Sequence, residues 1–149
     1  MKITWLTVVG AGWMLVSGCA SAPPPDSVTI QGSWLGQEVR NGRPLRSSLT
    51  LAGREWEFRG ADLNDWCKGT YTLREDTTPK QLTVVITQCP RAQEVGEIIH
   101  AIYQVRPGPP TDQQPDQGTL ILTANAPGNP QPPAGFGDRQ ARQIVFVKD

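Results

Sequence analysis

The segment WCKGTYTLREDTTPKQLTVVITQC, residues 66–89, decides the fold of this chain. Its two halves are rich in β-branched and aromatic residues, and they flank a polar turn that contains Pro79. In the second half, apolar side chains alternate at Leu82, Val84 and Ile86. Alternation of this kind is typical of a strand with one buried face, so the segment predicts an antiparallel β-hairpin.

The cysteines at the two ends of this hairpin predict how its strands pair. Cys67 and Cys89 lie equally far from Thr78 at the turn, which places them opposite each other. In an oxidising compartment we expect them to form a disulfide, which closes a loop of about 20 residues and contributes about 3 kcal/mol in the chain-entropy model. Two separately buried thiols are the alternative. A structural zinc site needs four ligands, and beyond Cys19 only these cysteines and His100 remain, so we expect no metal.

The register that pairs the cysteines conflicts with the apolar pattern near the turn. It places Tyr71 opposite Val85. The alternation of Leu82, Val84 and Ile86 instead predicts that these three residues face inward together with Tyr71. A slip of one residue moves a whole strand to the other face. We therefore predict a β-bulge near Lys68-Gly69 or Gln88, which satisfies both registers.

The same pattern of short β-rich runs extends in both directions from the hairpin. No window of eleven or more residues shows a helical period, and Gly 15 and Pro 14 among 149 residues favour a turn-rich all-β domain. The predicted strands are Gln31 to Val39, Ser48 to Leu51, Glu55 to Phe58, Trp66 to Leu73, Gln81 to Gln88, Glu97 to Val105, Thr119 to Ala124 and Gln143 to Lys148.

Eight sequential antiparallel strands can hide their edges in a closed up-and-down barrel or in a two-sheet β-sandwich. Short connections such as Asn41-Gly42 and Gly53-Arg54 favour the barrel. Two longer connections, Arg106 to Gln117 and Ala126 to Asp138, are rich in Pro and Gln and are predicted to lack the apolar residues needed to pack.

Several short motifs, taken in order, resemble a family of uncharacterised lipocalin-like domains found in bacterial extracytoplasmic proteins. The resemblance covers Ile30 to Lys148 and implies an eight-stranded lipocalin-like barrel. That family has no established reaction, so the resemblance implies no catalytic residues. The motifs are Gly32-Ser33-Trp34, Gly69-Thr70-Tyr71-Thr72-Leu73, Pro79-Lys80-Gln81-Leu82, Ala101-Ile102-Tyr103 and Leu120 to Leu122.

The N-terminal residues predict export. Lys2 precedes an apolar run from Ile3 to Val16, which would span only about 21 Å as a helix, less than the ~30 Å core of a bilayer. The run ends in Val16-Ser17-Gly18-Cys19, which resembles the lipobox of bacterial lipoproteins. Residues 1–18 are thus predicted to be a lipoprotein signal peptide. A plain secretory signal, or a Cys19 buried in a first strand, is the alternative.

The lipobox implies that Cys19 becomes a lipid-modified N-terminus and that the membrane is a partner through this lipid. Residues 19–29, with Pro23-Pro24-Pro25, are predicted to form a spacer before a barrel domain at 30–149. Ala20 follows the cysteine, and the resemblance to sorted lipoproteins then implies the outer membrane, facing the periplasm.

Charge and residue spacing argue against two classes of function. Fourteen basic residues balance fourteen acidic ones without a basic block, so we expect no nucleic-acid partner. We expect no enzyme and no cofactor, because His100 is the only imidazole and the carboxylates show no spacing typical of a catalytic pair. Ser47 lies in an arginine-rich stretch that is predicted to be a solvated loop.

The function we expect is binding of a small apolar ligand inside the barrel, with Trp34, Tyr71 and Tyr103 lining the interior. A core filled by its own aromatic side chains, a protein-binding or inhibitor module that acts through the long loops, and a structural role in the envelope without a ligand are the alternatives. The predicted inward-facing residues are Trp34, Trp56, Phe58, Tyr71, Leu73, Leu82, Val84, Ile86, Tyr103, Val105, Leu120, Leu122 and Phe146.

Overall fold

Eight antiparallel strands close into a barrel in the computed structural model, which describes residues 22–40, 42–106, 108 and 118–149. Each strand pairs with its neighbours in sequence, and the last pairs with the first, with Leu35 opposite Val147. The predicted all-β, eight-stranded up-and-down barrel is confirmed. The two-sheet sandwich is wrong, because this pairing closes a single sheet. The strands are β1 (Gly32–Arg40), β2 (Arg43–Ala52), β3 (Glu55–Arg59), β4 (Trp66–Arg74), β5 (Lys80–Gln88), β6 (Ile98–Arg106), β7 (Thr119–Ala124) and β8 (Arg142–Lys148).

Two short helical elements lie in the described part of the chain. A helix, α1 (Asp26–Thr29), precedes β1, and a 3-10 turn (Ala92–Glu94) lies between β5 and β6. The helix α1 lies within residues 19–29, which were predicted to form a spacer. β2 begins at Arg43, so Ser47 lies in a strand and not in the solvated loop that was predicted.

The β-bulge predicted in the central hairpin is confirmed between Lys68 and Gly69. On the turn side of the bulge, Tyr71 pairs with Val84, which brings the alternating apolar residues to one face. On the other side, Lys68 pairs with Gln88, the register that the cysteines require. A glycine is needed here because a Cβ on Gly69 would collide with the backbone carbonyl oxygen of Val85.

The disulfide predicted between Cys67 and Cys89 is also confirmed, with 4.4 Å between the two Cα atoms. It joins β4 to the residue that follows β5, beyond the bulge. The bulge and the disulfide lie next to each other, at the end of the hairpin away from the turn, and they fix its register, because neither would fit if either strand slipped by one residue.

The barrel interior contains every residue that the sequence analysis predicted to face inward. Nine of these are buried, and Phe58, Leu73, Val105 and Leu122 are partly buried and pack against them. The buried core also includes residues that the pattern analysis did not name, namely Ile30, Leu49, Leu51, Cys67, Ala101 and Ile144.

The prediction that residues 126–138 cannot pack is wrong, because part of this connection between β7 and β8 is buried. Pro133 is buried, and the Gln143 side chain joins the Thr123 hydroxyl to the backbone oxygen of Phe136. Ile102 and Thr123 are paired, face outward from the barrel, and are only 1% and 0% exposed. Through Gln143, the connection is therefore joined to Thr123 on the outer wall of the barrel.

Several predictions concern residues outside the described part of the chain. These are the signal peptide at 1–18, the lipidated Cys19, the start of the spacer, and most of the loop at 106–117. Neither helix in the described part has the length and apolar content needed to cross a membrane.

Candidate ligand cavity

The two ends of the barrel differ. At one end, which we name the closed end, residues 26–31 lie across the opening and hydrogen-bond to the strands around it. Asp26 accepts hydrogen bonds from the Lys80 ammonium at 2.6 Å and the Tyr103 hydroxyl at 3.0 Å. On the opposite side, the Lys148 ammonium donates to the backbone oxygens of Thr29 and Gln31, at 3.3 and 2.8 Å.

The three aromatic residues predicted to contact a ligand lie at this closed end. The Trp34 indole N–H donates to the backbone oxygen of Ile30 at 2.8 Å. The Tyr71 hydroxyl donates to the Gly53 oxygen at 3.0 Å and accepts from the Gln31 side chain at 2.7 Å. Trp34, Tyr71 and Tyr103 are thus in the barrel interior as predicted, with their polar atoms already bonded to the protein.

The surroundings of the two tyrosines raise both of their pKa values. Burial raises the pKa of Tyr103 above its ordinary value of 10.0, and the neighbouring Asp26 carboxylate raises it further, since a phenolate there would face a second negative charge. Burial also raises the pKa of Tyr71, while the hydrogen bond from Gln31 offsets part of this effect. Both hydroxyls therefore keep their protons, and with them the bonds that hold the closed end together.

At the opposite end, which we name the open end, the barrel contains a cavity of about 360 Å³. Its volume lies within the range of roughly 300–1,000 Å³ that is typical of small-molecule sites. Trp34, Tyr71 and Tyr103 do not line it. Its apolar wall is formed by Leu49, Leu51, Trp56, Phe58, Cys67, Leu82, Val84, Ile86, Ile99, Ala101, Leu122, Ala124, Ala126, Pro127 and Ile144.

The bulge in the central hairpin helps to position one wall of this cavity. The Trp56 indole N–H donates to the Val85 backbone oxygen at 3.4 Å, next to the point where Gly69 lets the strands shift register. The Cys67–Cys89 disulfide lies at the same end, and Cys67 contributes to the cavity wall. The hairpin that decides the fold therefore also shapes the cavity.

One side of the cavity mouth carries a group of charged side chains around Arg91. Its guanidinium donates from Nε to Glu94 at 2.7 Å and from Nη1 to Asp65 at 3.4 Å. Nη2 lies 3.5 Å from the sulfur of Cys67. The hydrogen bond from Arg91 to Glu94 is the main reason that the pKa of Arg91 is raised above its ordinary value, although burial lowers it. Arg91 stays a cation that is held by carboxylates.

A second arginine lies at the same mouth. Arg142 donates to Glu38 from Nε at 3.1 and 3.2 Å and from Nη2 at 2.6 Å, which is the bidentate geometry that guanidinium and carboxylate groups favour. Its guanidinium carbon lies 5.2 Å from the centre of the Phe58 ring, within the range of a cation–π contact. Arg142 thus joins the apolar wall to the polar mouth.

Sequence reasoning missed the polar residues of the mouth, although a signal for two of them was present. Residues two apart on a strand face the same side, so Glu38 shares a face with Gly36 and Trp34, and Arg142 shares a face with Ile144. Opposite charges at inward positions near strand ends were the clue. Arg91 and Glu94 lie in the connection between β5 and β6, which has no such periodicity.

The candidate catalytic and metal-binding groups are placed as follows. His100 faces outward on β6, with Nδ1 3.4 Å from the Thr83 hydroxyl oxygen. Cys67, Cys89 and Glu94 bring two sulfurs and a carboxylate oxygen within 4.8 Å of one another. The two sulfurs are bonded to each other and are not thiolates, so in this oxidised form they are not the ligands that a metal ion requires.

Comparison with protein-family models, with curated proteins and with solved structures finds no match to this chain. The cavity is apolar, has four charged residues in its lining, and lies at the end of the barrel opposite the closed end.

Proposed function

We propose that this protein is a lipid-anchored protein of the bacterial envelope whose lipocalin-like barrel binds a small apolar ligand. The observation that carries the proposal is the apolar cavity of about 360 Å³ at the open end. Water is poorly stabilised in an apolar cavity, because a buried water molecule needs two to four polar partners. An apolar ligand is stabilised there, because it removes its own apolar surface from water.

The proposed lipid anchor is consistent with the end of the barrel at which the N-terminal segment joins it. Pro23 to Pro25 are exposed and lead into α1, which lies at the closed end. Six residues lie between Cys19 and Asp26, and the seven Cα–Cα steps from one to the other reach about 25 Å at most when fully extended. A lipid on Cys19 would keep the closed end near the membrane and leave the cavity mouth free on the opposite end.

The ligand proposal is tested by displacement of prodan, a neutral fluorescent probe whose emission changes in apolar surroundings. Residues 22–149 are a suitable sample, since the strand pairings of the barrel and the closed-end contacts given above form within them. We expect prodan to bind and decanol to displace it. No change in emission would contradict the proposal.

A pair of variants on one strand locates the binding. Ala101 lines the cavity and is 2% exposed, so Ala101→Phe should fill the cavity and abolish probe binding. Gln104 lies on the same strand but is exposed on the outer wall, so Gln104→Phe should bind as the unaltered chain does. Thermal unfolding of both variants checks that Ala101→Phe is still folded. Equal binding by both variants would place the probe outside the cavity.

The anchor is tested separately by labelling cells with radioactive palmitate. The full chain should take up the label, and Cys19→Ser should lose both the label and its place in the membrane fraction. A labelled Cys19→Ser variant would contradict the proposed lipid site.

A further inference from the structure

Glu94 combines two different contacts at the cavity mouth. Its Oε1 accepts the hydrogen bond from Arg91 Nε at 2.7 Å. Its Oε2 lies 3.6 Å from the sulfur of Cys89 and 4.0 Å from that of Cys67. Those sulfurs form a disulfide and carry no hydrogen, so neither can donate to the carboxylate.

Among the described residues, Oε2 of Glu94 thus has no N–H or O–H donor. The Glu94 side chain is only 22% exposed and lines the cavity. A carboxylate oxygen accepts strongly, and leaving a partly buried acceptor unfilled costs free energy. The open end therefore presents a hydrogen-bond acceptor to whatever occupies the cavity.

The two cations at the mouth are already bonded to carboxylates. Arg91 is held by Glu94 and Asp65, and Arg142 by the bidentate bonds to Glu38. An anionic head group would lie beside Glu94 and would compete with carboxylates for both guanidiniums. A head group that donates hydrogen bonds meets an acceptor and breaks no existing pair.

We propose that the cavity takes an amphiphile whose apolar part lies inside the barrel and whose head group donates a hydrogen bond to Glu94 Oε2. An alkyl amine fits best because its ammonium adds charge to the hydrogen bond, an alkyl alcohol fits next, and an alkyl carboxylate is disfavoured. This inference depends on the proposed ligand-binding function and names the class of ligand.

The test compares decylamine, decanol and decanoate as competitors of prodan at neutral pH, on residues 22–149 without substitutions. The three share one alkyl chain and differ only in the head group. We expect decylamine to displace the probe at a concentration about tenfold lower than decanoate, with decanol between them. Because the alkyl chain is the same in all three compounds, a difference in their affinities must come from contacts of the head group at the cavity mouth.

A matched pair of variants assigns the preference to one residue. Glu94→Gln removes the charged acceptor and should abolish the difference between decylamine and decanoate, while changing decanol affinity by about threefold or less. Asp65→Asn removes the same charge from the same mouth, but its carboxylate is already bonded to Arg91, so most of the preference should remain. Thermal unfolding checks that both variants are folded.

Each outcome has one meaning. If none of the three compounds displaces the probe, the proposed ligand-binding function fails. If all three displace it equally, the cavity binds ligands but the inference about the head group is wrong. A preference for decanoate also overturns the inference and would indicate that Arg142, rather than Glu94, binds the head group. The comparison on the unsubstituted chain decides the question even if Glu94→Gln does not fold.

Discussion

The closed and open ends of this barrel are built from the same alternating strands but differ in how their polar groups are used. At the closed end, the indole of Trp34 and the hydroxyls of Tyr71 and Tyr103 all bond to residues of the protein itself. At the open end, Arg91 and Arg142 surround an apolar cavity of about 360 Å³. The closed end is filled by the protein's own side chains, whereas the open end contains a cavity.

The difference shows that aromatic residues inside a barrel do not by themselves mark a binding site. A buried aromatic side chain with a satisfied polar atom stabilises the fold. An apolar wall beside partly buried charges provides both the burial and the orientation that a ligand needs. Substitutions at the two ends should therefore affect different properties.

The largest expected effect separates two tryptophans. Trp34→Ala should lower the free energy of unfolding by about 3–5 kcal/mol, because the side chain is fully packed and its N–H is bonded. Trp56→Ala should cost at least about 1 kcal/mol less, since Trp56 already borders an empty volume and has fewer contacts to lose. Urea unfolding measures both. An equal or larger cost at Trp56 would contradict the distinction between the two ends.

Removing the disulfide tests how far the open end depends on its hairpin. Cys67→Ala with Cys89→Ala releases a loop of sequence separation 22 and should cost about 3 kcal/mol in the chain-entropy model. In the folded double variant, the NMR signal of the Trp34 indole N–H should stay unchanged, since the disulfide lies at the opposite end. A loss well below 1 kcal/mol would mean that the disulfide does not hold this end.

The bulge is tested by a pair of glycines. Gly69→Ala should cost about 1–3 kcal/mol, because the added Cβ collides with the Val85 carbonyl and lies 2.9 Å from the Thr87 nitrogen. Gly135→Ala has no neighbouring atom within 4 Å of the added Cβ and should leave stability unchanged or slightly higher. Thermal unfolding of both variants measures the difference. Equal effects of the two substitutions would contradict the requirement for glycine at the bulge.

Alkaline pH should weaken the closed end. Since the pKa of Tyr103 is raised in the folded state, its contribution to stability is fully present below the ordinary value of 10.0. As pH rises above 10, the unfolded chain releases the proton first, so stability falls by up to about 1.4 kcal/mol per pH unit until the folded-state pKa is reached. Tyr103→Phe should flatten this slope. Ultraviolet absorbance of tyrosinate reports the titration directly, and an ordinary midpoint near 10 would contradict it.

The sequence predicts the barrel because alternation and cysteine spacing are local signals. The conflict between the two registers of the hairpin was enough to predict the bulge, and Lys68 and Gly69 are where it lies. The strand bounds follow the β-rich runs closely, except that β2 begins at Arg43. The apolar alternation of Leu49 and Leu51 is interrupted at the buried position of Ser47, so no continuous apolar pattern marks that earlier start.

The division into a closed and an open end could not be predicted in this way. It depends on side chains that meet from distant parts of the chain, such as Asp26 with Tyr103 and Glu38 with Arg142. Alternation shows which residues face inward, but not at which depth the interior is filled. The burial of Pro133 and the bonds of Gln143 to Thr123 and Phe136 likewise depend on where a connection folds back, which no periodic pattern records.

The most direct test of the account is a methyl NMR titration of residues 22–149 with decanol. Signals from Leu49, Leu122 and Ile144, which line the cavity, should shift progressively with decanol, while the signals of Leu120, which does not line it, should not move. Shifts at Leu120 as large as those at Leu49, or no shift at any of the cavity methyl groups, would contradict it.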